Sequence, residues 1–158
     1  MDKAGQLMTD FPPERAARDM SGAVDFLLSH DASSGSGVGV VGFCMGGLLS
    51  FMIAANRGDA VKAAVPFYGF PQGNQEPSWE GLTAAVQAHM ASPDDFFPPE
   101  AAENLGERLR GMGKDVQITI HDAGHGFMNE ENPMGAFDEG LAAELWPQVV
   151  DFLHSKLS

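Results

Sequence analysis

Val38-Gly39-Val40-Val41-Gly42-Phe43-Cys44-Met45-Gly46-Gly47 is the stretch on which the fold turns. Its first six residues form a short apolar run, β-branched and bounded by glycines, which suits a strand buried on both faces. Leu48–Gly58 (LLSFMIAANRG) reads as a helix closed by its terminal glycine. Cys44–Gly47 is then the turn between strand and helix. A cysteine there occupies the setting of the G-x-S-x-G nucleophile elbow, with sulfur in place of the hydroxyl. That geometry is demanding: the backbone at the nucleophile is strained, and residues two before and two after it approach too closely for side chains. Gly42 and Gly46 meet the demand, and Gly47 extends the glycine turn. Cys44 would stand at the N-terminus of the helix, where free N–H groups and the helix dipole favour a thiolate. The N–H of Met45 would point to where an oxyanion develops. A buried structural cysteine beside permissive turn glycines is the plainer alternative, and the strand and helix on either side weigh against it.

Working outward, the alternation repeats. Asp10–His30 reads as helical from Pro13, with Ala16, Met20, Ala23, Phe26 and Leu27 at helical spacing. Val61–Tyr68 and Thr83–Met90 read as strands, Pro98–Met112 as a helix and Val116–His121 as a strand. A long glycine-bearing loop follows to Phe137. Asp138–Leu157 reads as a helix that Pro147 either kinks or divides. Strands alternating with helices imply an α/β fold, a mostly parallel sheet with helices on both faces, in a single domain over residues 1–158.

An elbow nucleophile needs a base and an orienting acid, in the chain order nucleophile, acid, histidine. His125 lies just after the strand Val116–His121, and Asp94 just after the strand Thr83–Met90. Both can therefore reach the carboxyl end of the sheet, where open α/β folds bind ligands. Asp94 could equally cap a turn or a helix, and Asp95 is a rival for its role. His89 and His121 read as structural, and His30 and His154 as exposed. His121, Asp122 and His125 lack a third ligand in fixed geometry, so neither a metal nor another cofactor is expected.

At these residues the chain resembles a family. GFCMGG (Gly42–Gly47), HMASPDDFFPP (His89–Pro99) and HDAGHGF (His121–Phe127) are similar to the three signature regions of the dienelactone hydrolases, or carboxymethylenebutenolidases. These form the cysteine branch of the α/β-hydrolases. The likeness runs from about Ala17 to the C-terminus, with a departure at Ala91, where the family's turn before the acid carries glycine. It implies the C-terminal portion of the three-layer α/β-hydrolase fold, with Cys44 as nucleophile, His125 as base and Asp94 as acid. The implied chemistry is thiolate attack on an ester or enol-lactone carbonyl, an acyl-thioester, and its hydrolysis by water activated through His125.

The resemblance further implies an N-terminal part that carries the first strands and the second oxyanion N–H. Val38–Phe43 is then left with one flank bare, an apolar edge that invites pairing with a second copy or a complementing chain. Three readings follow from the sequence: part of a working enzyme, an assembly completed by another chain, and a vestigial module that binds without catalysing. A redox-sensing thiol is a further class. The loop Phe70–Gly81 is expected to overhang the site and to offer Trp79, although an aromatic in such a loop is as often packing as recognition.

Composition bounds the partners. With 22 Asp+Glu against 9 Lys+Arg and a net charge of −13, the chain is unsuited to a phosphate backbone, so nucleic acid is excluded. No apolar run approaches the roughly 20 residues that span a bilayer, and the N-terminus has no apolar signal-peptide core. One cysteine cannot form an internal disulfide, which fits a reducing cytoplasm.

Overall fold

The computed structural model describes residues 13–33, 35 and 37–158; the start of the Asp10–His30 segment before Pro13 and the N-terminal stretch read as having no signal-peptide core lie outside them. In chain order come α1 (Pro13–Ser29), β1 (Val38–Phe43), α2 (Met45–Asn56), β2 (Val61–Phe67), β3 (Ala85–Ala91), α3 (Pro99–Gly111), β4 (Val116–His121) and α4 (Glu139–Leu157). The strands form one sheet in the order β1-β2-β3-β4, every neighbouring pair parallel.

Parallel pairing needs a crossover between successive strands, and the intervening helices cover the faces so formed. On one face Val24 of α1, Phe51 and Ile53 of α2, and Leu105 and Leu109 of α3 join Val61, Val86 and Met90 in one core. On the other, Ala142, Leu145 and Val149 of α4 pack with Val65, Phe67 and Phe127. The result is three layers, α/β/α, as the alternation of elements implied.

Register sets where the chemistry goes. Phe43 pairs with Phe67, Phe67 with His89, and His89 with Thr119. The four strands therefore end at one edge of the sheet, where Cys44, Tyr68, Ser92 and Asp122 are the first residues beyond them.

The two outer strands differ in character. β4 reads VQITIH, alternating apolar and polar, and Gln117 is exposed. β1 reads VGVVGF, with no polar side chain, yet nothing among the described residues pairs with its outer side. Phe26 and Leu27 of α1 and Trp146, Val150 and Leu157 of α4 are also exposed. Both helices touch β1, as α2 does more extensively.

Some details depart from the sequence reading, and at Pro147 one of its two alternatives, division of the helix, is excluded. The helix after the elbow begins at Met45, so Met45–Gly47 are its first turn rather than a separate one. Pro147 lies inside an undivided α4; it and Ala143, whose carbonyl loses its partner, are both exposed to water. Trp79 does not overhang the site. It is buried edge-on to Phe51, and its Nε1 donates to Glu76, which also accepts from Arg108. An aromatic with a satisfied N–H anchors that loop to the core.

Candidate active site

Cys44 links β1 to α2 with φ 55°, the left-handed region that costs a non-glycine residue about 1 kcal/mol or more. Its N–H donates to the carbonyl of Phe67, and its carbonyl accepts from Gly47 and Leu48. The strain is thus held from both ends.

The elbow glycines are not equivalent. A Cβ on Gly42 would lie 2.0 Å from the Gly46 oxygen, and one on Gly47 would lie 2.7 Å from the Phe67 oxygen. A Cβ on Gly46 would meet nothing within 4 Å. The expectation that position 46 also forbids a side chain is therefore corrected: its backbone is the obstacle that Gly42 must avoid, while its own Cα faces open space. A further glycine escaped the sequence reading. A Cβ on Gly69 would sit 1.9 Å from the Cys44 oxygen, because the chain leaving β2 passes directly beneath the elbow. Tyr68, with φ 35°, makes the bend that permits this passage. The only sequence signal was an aromatic-glycine pair closing a strand.

Asp94 and His125 meet. Asp94 Oδ2 lies 2.8 Å from His125 Nδ1, and both residues are buried. The other carboxylate oxygen accepts the N–H groups of Phe96 and Phe97 at 2.9 and 3.0 Å. Asp94 therefore both orders its own turn, as its capping alternative required, and faces the imidazole. Asp95 is exposed and takes no part among these contacts. The N–H of Ser92 donates to the carbonyls of His121 and Ala123, fastening the Asp94 turn to the segment that carries His125.

With Nδ1 committed to Asp94, Nε2 is the ring nitrogen left for the thiol. A hydrogen bond to His125 is the largest influence on Cys44 and holds its pKa below the ordinary thiol value, aided by the Met45 N–H and opposed by burial. The same bond is the largest influence on His125, raising its pKa, with Asp94 adding to the effect. Opposite shifts of this kind favour a thiolate–imidazolium pair.

Both shifts fix a pH dependence. Alkylation follows the thiolate fraction, so its rate against pH should reach half-maximum below the ordinary thiol range, about 8.5. In His125→Ala the half-maximum should move up to that range. Profiles that coincide with each other and with a free thiol would contradict the pairing.

Tyr68 walls the site, its ring edge-on to His125 and Phe127 at centroid separations of 5.0 and 5.1 Å. Burial and then the neighbouring Cys44 push its phenol up to about 12, so it stays neutral. Phe97 stacks on the imidazole. Below the site His89 Nδ1 lies 3.0 Å from His121 Nε2. Burial, then His121, takes His89 down to about 4, so this pair stays uncharged near neutrality and acts as structure. His30 and His154 are exposed.

A cavity of about 470 Å³ opens over Cys44 and His125. Phe43, Tyr68, Met128, Met134 and Trp146 form its apolar wall, with the amides of Asn129 and Asn132 beside them. The sequence reading missed this wall. Phe43 ends β1 and Tyr68 follows β2, but Met128, Met134 and the amides come from a loop without periodicity and Trp146 from an exposed turn of α4, and neither of those segments carries a motif.

The comparisons agree with this architecture. The sequence model of the dienelactone hydrolase family matches residues 1–157. The chain is 31% identical over 161 residues to Protein usf of Aquifex pyrophilus, covering 99% of this chain and 69% of that one. It is 30% identical over 160 residues to a putative carboxymethylenebutenolidase of Aquifex aeolicus, covering 99% and 68% respectively. The crystal structure of a putative dienelactone hydrolase from Klebsiella pneumoniae superposes with a TM-score of 0.81 at 20% identity, over 98% of this chain and 68% of that one. The chain thus spans about two thirds of the length of each.

Proposed function

The chain belongs to the dienelactone hydrolase family, and from that premise we propose that it hydrolyses ester or enol-lactone bonds through a Cys44-His125-Asp94 triad. One observation carries the reading: the sequence-spaced trio converges, with His125 Nδ1 on Asp94 and the remaining imidazole edge turned to a thiol of lowered pKa.

In this mechanism the Cys44 thiolate attacks the carbonyl carbon, and the developing oxyanion is met by the N–H of Met45 at the head of α2. Collapse of the tetrahedral species expels the alcohol or enol oxygen, to which the His125 imidazolium gives its proton. The neutral imidazole then takes a proton from water, whose oxygen attacks the thioester. A second collapse releases the carboxylic acid and returns the thiolate and imidazolium. Asp94 keeps the imidazole in the required tautomer and supports its charge. Turnover of p-nitrophenyl acetate above the buffer rate, dependent on Cys44, tests the proposal. The sulfur must stay reduced to act, which favours a reducing, cytoplasmic setting.

The same proposal extends to the open edge of β1. The Met45 N–H supplies one oxyanion donor of the two such a site uses, and loss of one donor typically costs about 10²–10³ in rate. A strand from outside the described residues, borne by a second copy or another chain, is proposed to pair with β1 and bring the second donor. The apolar, uncharged edge and the exposed side chains of α1 and α4 beside it support this. Active protein should then be larger than one chain on sizing, with β1 amides protected from hydrogen exchange. A monomer with rapidly exchanging β1 amides that still turns over ester would contradict it.

A further inference from the structure

Two phenylalanines that follow the Asp94 turn take no part in the triad, yet their rings lie against the imidazole of His125. Phe96 stands 5.0 Å from it between ring centroids, tilted by 55°, and Phe97 stands 5.9 Å away, 13° from parallel. Asp94 sets both in place. Its Oδ2 meets His125 Nδ1, while its Oδ1 accepts the N–H groups of Phe96 and Phe97. The loop after β2 holds the pair from behind: the buried Phe70 lies 5.6 Å from Phe97 between centroids, and Gln72 Nε2 donates to the Phe96 carbonyl at 3.1 Å. One carboxylate thus orients the imidazole and orders the rings beside it.

Such rings act on an imidazole in two opposed ways. As apolar cover they remove water, which disfavours the charged form. Through their quadrupoles they attract a cation lying within about 6 Å of the ring centroid. Both centroids fall inside that range. Phe96 is exposed and Phe97 half-buried, so they withhold little water and the attraction wins. The other groups facing His125 are Cys44 from the elbow, Asp94 from its turn and the neutral Tyr68 beyond β2; the first two also favour the cation. We propose that Phe96 and Phe97 are positioning residues that favour the imidazolium of His125. The inference rests on His125 as the base of the proposed triad.

The Cys44→Ala protein tests it without a thiol and without turnover. Its imidazole resonances are titrated by NMR, and His125 is identified among the five histidines by its loss in His125→Ala. Leucine keeps apolar cover and removes the quadrupole. Phe96→Leu and Phe97→Leu should each lower the His125 pKa by about half a unit, the size of a cation–π contact at a partly exposed site. Phe97→Tyr, which keeps the ring, should match the parent. Rings that act only as cover would move the pKa upward on substitution, and rings that only pack would lower the melting temperature and leave the pKa where it was. Either result overturns the proposal. Phe96→Leu alters an exposed side chain, so it decides the sign even if Phe97→Leu fails to fold. If the leucine variants lower the His125 pKa while alkylation of Cys44 ignores His125→Ala, the role of the rings stands and the thiolate–imidazolium reading fails.

Discussion

Cys44→Ala is expected to reduce hydrolysis of p-nitrophenyl acetate to the rate of buffer alone, a loss of about 10³-fold or more. The expectation is sharp because the substitution leaves the elbow otherwise intact. Alanine and cysteine both carry a Cβ, so the strain of φ 55° is the same for either. The backbone bonds to Phe67, Gly47 and Leu48 do not involve the sulfur. A folded variant without activity would therefore report on the sulfur itself. Hydrolysis at an undiminished rate would instead assign the activity to something other than this site.

The second large effect falls on the fold. Gly42→Ala places a methyl 2.0 Å from the Gly46 oxygen and 2.4 Å from the Ser50 hydroxyl. Neither can retreat easily, since the Gly46 carbonyl accepts the Ser50 hydroxyl at 2.8 Å and lies in the first turn of α2. A cost of about 3 kcal/mol or more is expected, with a fall in melting temperature of roughly 6–12 °C. Gly46→Ala should lie within about 0.5 kcal/mol of the parent, because its methyl meets open space and alanine suits a helix. Thermal melts of the two variants make the comparison. If Gly42→Ala melts with the parent, or Gly46→Ala falls as far, the elbow backbone is not arranged as described.

The sequence was most legible where one local rule governs. VGVVGF and VQITIH have the length and composition of strands, and both occur at their expected bounds, Val38–Phe43 and Val116–His121. Cys44, Asp94 and His125 could be picked out because each follows a strand, and parallel strands deliver their C-terminal ends to one edge. What the sequence did not show depends on distant segments meeting. Gly69 must be glycine only because the chain after β2 crosses beneath Cys44, a contact no local pattern records. Gly46 looked constrained by symmetry with Gly42, yet the crowding is one-sided. The sequence leaves Trp79 open between overhanging the site and packing, and the ring's area is better buried on Phe51 once Glu76 satisfies its N–H. Trp146 went unassigned because an exposed helical tryptophan carries no signature until the wall beside it is seen.

The family membership and the meeting of Asp94 with His125 leave one chemical step to be seen directly, transfer of an acyl group to Cys44. Rapid mixing with p-nitrophenyl acetate, acid quenching and peptide mapping measure it. The account predicts an acetyl group on the peptide that carries Cys44, appearing with the first released p-nitrophenol and discharged on longer incubation. Release of p-nitrophenol with Cys44 never acetylated would contradict it.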